Sequence, residues 1–326
     1  MMADTIKWGM IGAGDVTEVK SGPAFKKVPG SDLVAVMRRN EEKVKDYAKR
    51  HGIARWYTDA EALIHDEEVN AIYIATPPAS HCAYCLMALR AGKAVYVEKP
   101  MTLHSVEAQE LANEVRQRNG KLVVAHYRRE QPYFKKIKEL LQAGEIGKPR
   151  VATLQLFKQA LRTQEMADPK MQWRLDETQS GGGLFHDLAP HQLDLMIHFF
   201  GTPRKSHGMA TNQAKQYAAD DLVSGQLLFD HGVLFNGVWA FATHEERDRC
   251  ELIGSAGKLS FSFFSYEPIL LERVQGQQRF AFTPLAHVQQ PMIEAVVRYF
   301  QHQGENPCPI EAGVKVMHLL EDFTRK

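Results

Sequence analysis

"IKWGMIGAGDVT", residues 6–17, joins a short apolar run to two closely spaced glycines and the beginning of a helical pattern. An apolar run of this length predicts a buried strand. Glycines directly after such a strand allow a tight turn in which backbone N–H groups approach a pyrophosphate. Gly12 and Gly14 fill the first two positions of this dinucleotide-binding pattern, and Thr17 replaces its third glycine. We expect a dinucleotide cofactor to contact Gly12, Gly14, Asp15, Val16 and Thr17.

The same turn also fits a simpler interpretation. Asp15 at the start of the helical pattern and Glu18 three residues later are typical of a helix cap. Both interpretations hold together if the Asp15 carboxylate points away from the phosphates. "KSGP", residues 20–23, predicts that this first helix ends early, because glycine and proline disfavour its continuation. Such a break would place Lys20 near the predicted cleft.

Up to about residue 125 one unit recurs, an apolar β-branched run followed by a helical pattern. The runs are "IKWGMIGAG", "DLVAVMRR", "NAIYIATPP", "AVYVEKP" and "KLVVAHY". Alternation of this kind predicts a parallel sheet with helices on both faces. The expected fold class is α/β, with a Rossmann doubly wound parallel sheet in residues 1–124.

Composition and charge exclude several function classes. Forty Lys and Arg against 39 Asp and Glu leave a net charge of +1, which gives no preference for nucleic acid or a membrane surface. No secretory signal pattern and no apolar run of 18 residues is present, so we expect a cytoplasmic protein. Four cysteines fit a reducing compartment. Cys82 and Cys85 form an isolated CxxC on a predicted helix, so we expect no metal.

The end of the second predicted strand, "AVMRRN", bears on the choice of cofactor. NAD-binding sites place an acidic residue there for the ribose hydroxyls, whereas arginine suits the 2′-phosphate of NADP. Arg38 and Arg39 occupy this place, and a guanidinium binds phosphate through charge-assisted hydrogen bonds. The alternative is two solvated arginines offset by Glu41 and Glu42. We expect NADP to be preferred over NAD.

Two further motifs follow predicted strands. "ATPPASH" (75–81) and "VEKPMT" (97–102) would lie at the carboxyl edge of the sheet, where ligands of such folds bind. Taken alone, Lys99 at a strand end is more often a surface charge than a catalytic group. Together the two motifs predict the rim of a cleft that includes Lys99. The expected cofactor-binding residues of this rim are Thr76, Pro77, His81 and Glu98.

"GGGLFHDLAPHQLDL", residues 181–195, places three glycines before an aspartate and a histidine four residues apart. Because Pro190 is tolerated only in the first turn of a helix, we expect the helix to start no earlier than about Asp187. Asp187 would then lie at or next to the N-cap, with His191 about one turn further on. The alternatives are a capping aspartate beside a half-buried histidine, and a metal site that also uses His186. Histidines five residues apart match one helical face poorly, which disfavours the metal site.

These motifs resemble the glucose-fructose oxidoreductase, inositol dehydrogenase and MocA family of nicotinamide-dependent sugar oxidoreductases. The resemblance covers nearly the whole chain and is carried by "GAGDVT", "ATPPASH", "AGKAVYVEKP", "AHYRREQP", "GEIGKP" and "WRLDETQSGGGLFHDLAPHQLD". It implies a second, α+β domain in residues 125–326 with an open, mainly antiparallel sheet. Two terminal helical patterns fit this domain, as do the strand-like runs "RVATLQLF", "LVSGQLLF", "GVLFNGVWAF", "CELIG" and "KLSFSFF". The family also implies a homodimer or homotetramer that pairs through the sheet.

The resemblance implies a role for each site residue. His191 matches the general base that takes the hydroxyl proton as hydride leaves the same carbon, and Asp187 matches its acidic partner. Lys99 would hydrogen-bond the reacting oxygen and favour the developing alkoxide. Whether His191 or Lys99 moves the proton stays open, and simple packing is an alternative for Trp173. The expected substrate-binding residues are Lys99, Tyr127, Arg129, Trp173, Arg174, Asp187 and His191.

The sequence therefore predicts a dehydrogenase or reductase that uses NAD(P), preferably NADP, on a hydroxyl or carbonyl carbon of a sugar, sugar derivative or cyclitol. Three alternatives remain: an NAD-assisted glycosidase, a trans-dihydrodiol-type dehydrogenase, and a non-catalytic dinucleotide-sensing co-repressor of the same fold. The presence of Lys99, Asp187 and His191 argues against the sensor, because intact site chemistry indicates that the site is used.

Overall fold

Short apolar runs of the first third of the chain become strands that are buried on both faces, as expected for a parallel sheet. The computed structural model describes residues 5–325. These runs form β1 (Ile6–Ile11), β2 (Ser31–Met37), β4 (Ala71–Ile74), β5 (Ala94–Val97) and β6 (Leu122–Val124), and they are joined by a short, more exposed strand, β3 (Arg55–Tyr57). The six strands make one sheet in the order β3-β2-β1-β4-β5-β6, with every pair parallel. The order reverses between β1 and β4, which is the topological switch point of a doubly wound fold. The predicted Rossmann sheet is confirmed, and β3 adds a strand that the sequence analysis did not identify.

Helices connect these strands, and the first of them is interrupted as predicted. They are α1 (Asp15–Val19), α2 (Gly22–Lys27), α3 (Glu41–His51), α4 (Ala60–Ile64), α5 (His81–Arg90) and α6 (Ser105–Arg118). The break falls at Lys20 and Ser21. A Cβ on Gly22 would lie 2.1 Å from the carbonyl oxygen of Thr17, so the chain can turn this tightly only because residue 22 is glycine. Short 3₁₀ turns at Pro78–Ser80 and Tyr127–Glu130 follow β4 and β6.

After β6 the chain forms helices and the strands of a second sheet, with the first strand of that sheet between the first and second of these helices. The helices are α7 (Pro132–Gln142), α8 (Thr163–Ala167), α9 (Pro169–Leu175), α10 (Glu177–Ser180) and α11 (Gly183–Phe200). The strands are β7 (Pro149–Gln159), β8 (Pro203–Thr211), β9 (Leu222–Phe229), β10 (Leu234–Thr243), β11 (Arg247–Gly254), β12 (Gly257–Phe261), β13 (Ile269–Arg273) and β14 (Gly276–Phe280).

The second sheet is open and mainly antiparallel, as the resemblance implied. Its order is β14-β13-β12-β11-β7-β10-β9-β8, and only the central pair β7 and β10 is parallel among the described pairings. Along β7, Ala152, Leu154 and Leu156 are buried while their neighbours are half-exposed. This period of two indicates one face packed on the core and one left open. β8, β13 and β14 had not been identified from the sequence.

The helix α11 begins earlier than expected. It starts at Gly183, with Pro190 inside it, so the prediction of a start near Asp187 is wrong. Proline removes only one hydrogen bond, the one to the carbonyl of His186. The side chains from Gly183 to Ile197 are mostly buried, and this tertiary packing outweighs the local cost. Asp187 therefore lies in the second turn and is not the N-cap.

The last part of the chain divides between the two compact units. α12 (Gln290–Phe300) and α13 (Ile310–Thr324) follow the second sheet. The first unit comprises the chain up to Gln131 together with Leu285–Val314, and the second comprises Pro132–Pro284 together with the chain from Lys315 on. This differs from the expected single boundary after residue 124.

Hydrogen bonds show why a late segment joins the first unit. The backbone N–H of Val124 on β6 donates to the carbonyl of Cys308 at 3.1 Å. The Nδ2 of Asn306 donates to the carbonyl of Leu122 at 2.9 Å. These bonds complete the edge of the first sheet at β6, and no local sequence pattern signals them.

Candidate active site

The glycine turn after β1 has the geometry that a dinucleotide requires. Gly12 has φ of +99°, and a Cβ there would lie 2.7 Å from the carbonyl carbon of Ala75, so only glycine fits. Gly14 differs, since a Cβ there would meet nothing nearer than the Gly12 oxygen at 3.9 Å. The first glycine thus permits the turn, and the second faces open space through which a pyrophosphate can approach the backbone.

Thr17 replaces the third glycine without disturbing this turn. Its side chain is fully buried, and its Oγ1 donates to the carbonyl of Gly14 at 2.7 Å. The hydroxyl of Tyr47 donates to the Thr17 carbonyl at 2.9 Å. Because the threonine hydroxyl is satisfied by the turn itself, this departure from the family pattern leaves the turn intact. Asp15, next to the turn, is exposed.

The arginine pair lies at the carboxyl end of β2. Arg38 Nη1 donates to the carbonyl of Ala13 at 3.0 Å, which holds the half-buried guanidinium against the glycine turn, while Arg39 is exposed. Glu41, one of the acids proposed to offset the arginines, pairs instead with Lys45 at 2.6 Å. The two residues that directly follow β2 therefore carry guanidinium groups, and that of Arg38 lies against the glycine turn. These residues fit a nicotinamide dinucleotide.

The two strand-end motifs are connected through His81. This residue is fully buried; its Nδ1 lies 2.9 Å from the carbonyl oxygen of Pro100 and its Nε2 lies 2.7 Å from that of Thr76. Burial lowers the pKa of the imidazole. The Ser80 hydroxyl donates to Thr76 Oγ1 at 2.7 Å. The structure thus places His81 between the two motifs, where it links them.

Glu98 is likewise buried and held by protein donors. The Tyr73 hydroxyl donates to its Oε1 at 2.6 Å, and Gln289 Nε2 donates to the same oxygen at 2.5 Å. Lys99, the next residue, is half-buried and precedes a cis peptide bond to Pro100. Neither Tyr73 nor Gln289 was identified from the sequence. The Gln289 contact joins positions 191 residues apart, so no local pattern could have revealed it.

Tyr127 and Arg129 lie on the 3₁₀ turn after β6, in the first unit. Both side chains are 7% exposed. Arg129 Nη1 donates to the carbonyl of Pro307 at 3.5 Å, and the guanidinium of Arg128 lies 5.6 Å from the Tyr127 ring centre. The structure therefore brings both expected residues to the end of β6, where their burial leaves little surface for a ligand.

In the second unit, α9 and α11 bring the remaining expected residues together. Asp187 and His191 lie one turn apart on the same side of α11. Asp187 Oδ2 accepts a hydrogen bond from Arg174 Nε at 3.1 Å. His191 is 5% exposed, and its ring meets the Phe264 ring edge-on with centroids 5.9 Å apart. Phe264 is a neighbour of the candidate base that the sequence analysis missed.

Trp173 and Arg174 form a stacked pair on α9. The Arg174 guanidinium lies 4.4 Å from the centre of the Trp173 ring, in cation–π geometry. α9 contains no fully buried residue among those described, and Trp173 is half-buried. Core packing therefore does not account for the tryptophan, whose ring remains partly available to a ligand.

The described chain offers no metal site by side-chain clustering. Among residues 5–325, no group of three or more His, Cys, Asp or Glu side chains is arranged to hold a metal ion. The four cysteines are buried, and burial raises the pKa of Cys82 to about 12 and that of Cys85 well above its usual value. Across the same residues, no helix is both long and apolar enough to span a membrane.

Comparison with known proteins shows the family of this chain. Residues 6–126 match the oxidoreductase family with an NAD-binding Rossmann fold, and residues 134–260 match the GFO/IDH/MocA C-terminal domain. "Oxidoreductase P35" of Formosa agariphila is 47% identical over 324 residues, which cover 99% of both chains. The 1,5-anhydro-D-fructose reductase of Ensifer adhaerens is 26% identical over 94% of this chain and 92% of its own.

A solved structure shows the same fold. The aldose-aldose oxidoreductase of Caulobacter crescentus, complexed with glycerol, superposes with a TM-score of 0.85 at 22% identity over 97% of this chain and 96% of its own. The two regions that match the family, residues 6–126 and 134–260, include the glycine turn, both strand-end motifs and the helix that carries Asp187 and His191. The chain belongs to the GFO/IDH/MocA family and is an NAD(P)-dependent oxidoreductase.

Proposed function

We propose that this oxidoreductase transfers a hydride between NADP and a hydroxyl or carbonyl carbon of a sugar, sugar derivative or cyclitol. The observation that carries the proposal is the arrangement on α9 and α11, where Asp187 accepts from Arg174 one turn before His191. This arrangement combines a candidate proton acceptor, an acidic partner and charged donors. Polyols need such groups because each hydroxyl both donates and accepts hydrogen bonds.

In the oxidising direction, His191 takes the proton of the substrate hydroxyl, a task that suits imidazole because its ordinary pKa is near neutrality. Asp187 orients the substrate and stabilises the imidazolium form, and Arg174 holds Asp187 in place. Lys99 donates a hydrogen bond to the reacting oxygen and favours its developing negative charge. The bound nicotinamide supplies the hydride acceptor. The same groups act in reverse for carbonyl reduction.

The preference for NADP rests on the end of β2. Arg38 is held at the glycine turn by its bond to the Ala13 carbonyl, and Arg39 follows with an exposed side chain. A guanidinium attracts a 2′-phosphate, and the residue types here include no acid that would pair with a free ribose 2′-hydroxyl. The glycine turn, where Gly14 leaves open space, would receive the pyrophosphate.

The choice of a carbohydrate rests on the pocket residues and on the relatives. The partly exposed Trp173 ring suits the C–H face of a sugar, and Arg174 supplies donors at its edge. The Ensifer relative is named for a reductase of an anhydro-sugar, and the Caulobacter structure for an oxidoreductase of aldoses. These names support a sugar substrate for this chain.

The direct test follows the reduced cofactor by its absorbance at about 340 nm, with NADP or NAD and a panel of aldoses, anhydro-sugars and inositols. We expect turnover with at least one sugar and a higher kcat/KM for NADP than for NAD. Reduction of the corresponding keto-sugars is measured in parallel. Release of the leaving group from an aryl glycoside without net cofactor turnover would instead indicate a glycosidase. Cofactor binding without turnover in either direction would contradict the proposed enzyme.

We also propose that two copies of this chain pair through the open face of the second sheet. Leu234 on β10, Val151 on β7 and Ile253 on β11 are register neighbours across the sheet centre. Leu234 and Ile253 remain 38% and 37% exposed, so an apolar strip lies uncovered in the single chain. Analytical ultracentrifugation should give a dimer or tetramer, and Val151→Glu should yield monomers. A monomeric wild type would contradict this proposal.

A further inference from the structure

The carboxylate beside Lys99 is buried within the first unit. Glu98 is 7% exposed. Its Oε1 accepts from the Tyr73 hydroxyl at 2.6 Å and from Gln289 Nε2 at 2.5 Å, and its Oε2 accepts from the backbone N–H of Lys99 at 3.2 Å. A carboxylate away from water needs such donors, because unfilled acceptor sites are strongly unfavourable. The donors also hold the carboxylate in one orientation, and through it the backbone at Lys99.

Gln289 reaches this carboxylate from the segment just before α12. It is fully buried, its backbone N–H donates to the carbonyl of Lys20 at 3.3 Å, and its Oε1 accepts from the Tyr96 hydroxyl at 3.1 Å. The partners determine the orientation of its amide, since only the NH₂ group can donate to the Glu98 oxygen. The amide carbonyl then accepts the hydrogen bond from the Tyr96 hydroxyl. Both ends of the Gln289 side chain are thus engaged.

The tyrosines of this network remain donors over a wide pH range. Burial and the nearby Glu98 charge raise the pKa of both Tyr73 and Tyr96 well above their usual value. A hydroxyl has one proton, and that of Tyr73 is directed to the carboxylate. The Ser21 hydroxyl lies 3.0 Å from the Tyr73 oxygen. Both tyrosine hydroxyls therefore keep their protons near neutral pH.

We propose that Gln289 is a positioning residue for hydride transfer. It acts through Glu98 to hold Lys99 where the lysine can contact the reacting oxygen. The proposal rests on the function proposed above, because it assumes that Lys99 contacts the reacting oxygen. Without the amide, Glu98 Oε1 loses a short donor and the carboxylate gains rotational freedom. Small displacements of a group at the reacting centre are costly to turnover. Gln289 would therefore affect kcat, while cofactor affinity would change little.

A double-mutant cycle tests whether the effect passes through Lys99. Gln289→Leu should lower kcat about tenfold or more and leave the cofactor dissociation constant within about twofold. In a Lys99→Ala background, Gln289→Leu should lower kcat by less than about twofold, because the side chain that Gln289 positions is gone. Gln303→Leu, at an exposed position in the same C-terminal segment, is the matched control. Fully additive losses, or an equal loss in the control, would overturn the proposal.

A second measurement needs no substrate. In protein labelled with ¹⁵N-lysine, the Lys99 amide is identified by its disappearance in Lys99→Arg. Gln289→Leu should accelerate hydrogen exchange at this amide by at least about tenfold and leave Lys93 and Lys121 unchanged. Uniform acceleration at all lysines would indicate a merely structural role, and no change at Lys99 would equally refute positioning.

A second variant and the exchange experiment distinguish failure of the positioning proposal from a folding defect or from failure of the proposed function. If Gln289→Leu does not fold, Tyr96→Phe frees the amide carbonyl of Gln289 without opening a large cavity, and it should produce the same pattern of kcat and exchange at smaller amplitude. If the wild type turns over no sugar or keto-sugar, the proposed function fails, while the exchange experiment still decides whether Gln289 holds Lys99. If turnover is found and the cycle is additive, only the positioning proposal fails.

Discussion

Arg174 on α9 donates from Nε to Asp187 Oδ2 on α11 at 3.1 Å. Their side chains are 24% and 18% exposed, so solvent screens this pair less than it screens a surface ion pair. The bond ties the helix that carries Trp173 to the helix that carries His191. It therefore connects the residues that we assign to substrate binding with the residue that we assign to proton transfer.

Loss of this ion pair should impair catalysis more than folding. Arg174→Met should lower kcat/KM for the sugar about 10- to 100-fold, because a hydrogen bond between charged groups contributes about 1.5–3 kcal/mol. Cofactor affinity, measured by fluorescence titration, should stay the same. Arg162→Met is the control, since Arg162 pairs with Glu165 on an exposed surface. Equal effects of the two substitutions would argue against a role of Arg174 at the site.

Removal of the candidate base should abolish turnover and preserve binding of the cofactor. His191→Asn should lower kcat by at least about 100-fold, the usual contribution of general acid–base catalysis. Steady-state rates and cofactor titrations measure the two effects separately. Turnover that survives within a few fold would show that His191 is not the base and would shift the proton transfer to Lys99.

The two glycines of the first turn should respond differently to alanine. Gly12→Ala should destabilise the fold by about 1–3 kcal/mol or more, because its φ of +99° and the 2.7 Å approach to Ala75 exclude a side chain. Gly14→Ala should leave the urea midpoint nearly unchanged, since the new methyl group meets only open space. It should instead weaken cofactor binding at least about tenfold by blocking the approach of the pyrophosphate. Unchanged cofactor binding in folded Gly14→Ala would place the phosphates elsewhere.

The choice of cofactor should depend on Arg38. Arg38→Ala should raise the dissociation constant of NADP about 10- to 100-fold and that of NAD only a few fold, since NAD lacks the 2′-phosphate. The ratio of the two constants is the decisive quantity, because Arg38 also holds the glycine turn through Ala13. Lys43→Ala on α3 provides a control at an exposed cation. An equal loss of affinity for NAD and NADP would mean that Arg38 only stabilises the glycine turn.

The salt bridge of Glu18 should make stability depend on pH in the acid range. Arg50 donates to both Glu18 oxygens at 2.8 Å and, with a smaller contribution from His51, holds the pKa of this carboxyl at about 2 against an ordinary 4.5. Because the pKa of Glu18 is lowered in the folded state, its contribution to the free energy of unfolding is complete above pH 4.5 and disappears as the pH falls towards 2. Since the Arg50 side chain is 45% exposed, we expect only about 0.5–1 kcal/mol.

Urea unfolding of Glu18→Gln measures this contribution. The variant should be less stable than the wild type at pH 7, and the difference should shrink as the pH approaches 2. Glu61→Gln, at an exposed position on α4, is the control. A difference that does not change with pH would mean that the ion pair is not its source.

Several parts of the second unit lay beyond prediction. The expected strands β7, β9, β10, β11 and β12 are present, because their alternating or apolar runs are local signals. β14, "GQQRF", is polar and exposed, so nothing in its pattern indicated a strand. It forms because β13 offers an edge for pairing, with Ile269 opposite Phe280. The early start of α11 was missed for a similar reason, since burial of the helix outweighs the local effect of Pro190.

Local patterns in the chain were enough to predict the Rossmann sheet, the glycine turn, the break before Gly22 and the spacing of Asp187 and His191. The hydrophobic period, the positions of glycines and the helical spacing each depend on residues close together in the chain, so the sequence alone is enough to identify them. Only tertiary structure decided that Arg174 pairs with Asp187 and that Gln289 reaches Glu98. These contacts depend on how separate elements pack, and buried polar groups find whichever partner that packing brings within hydrogen-bond distance.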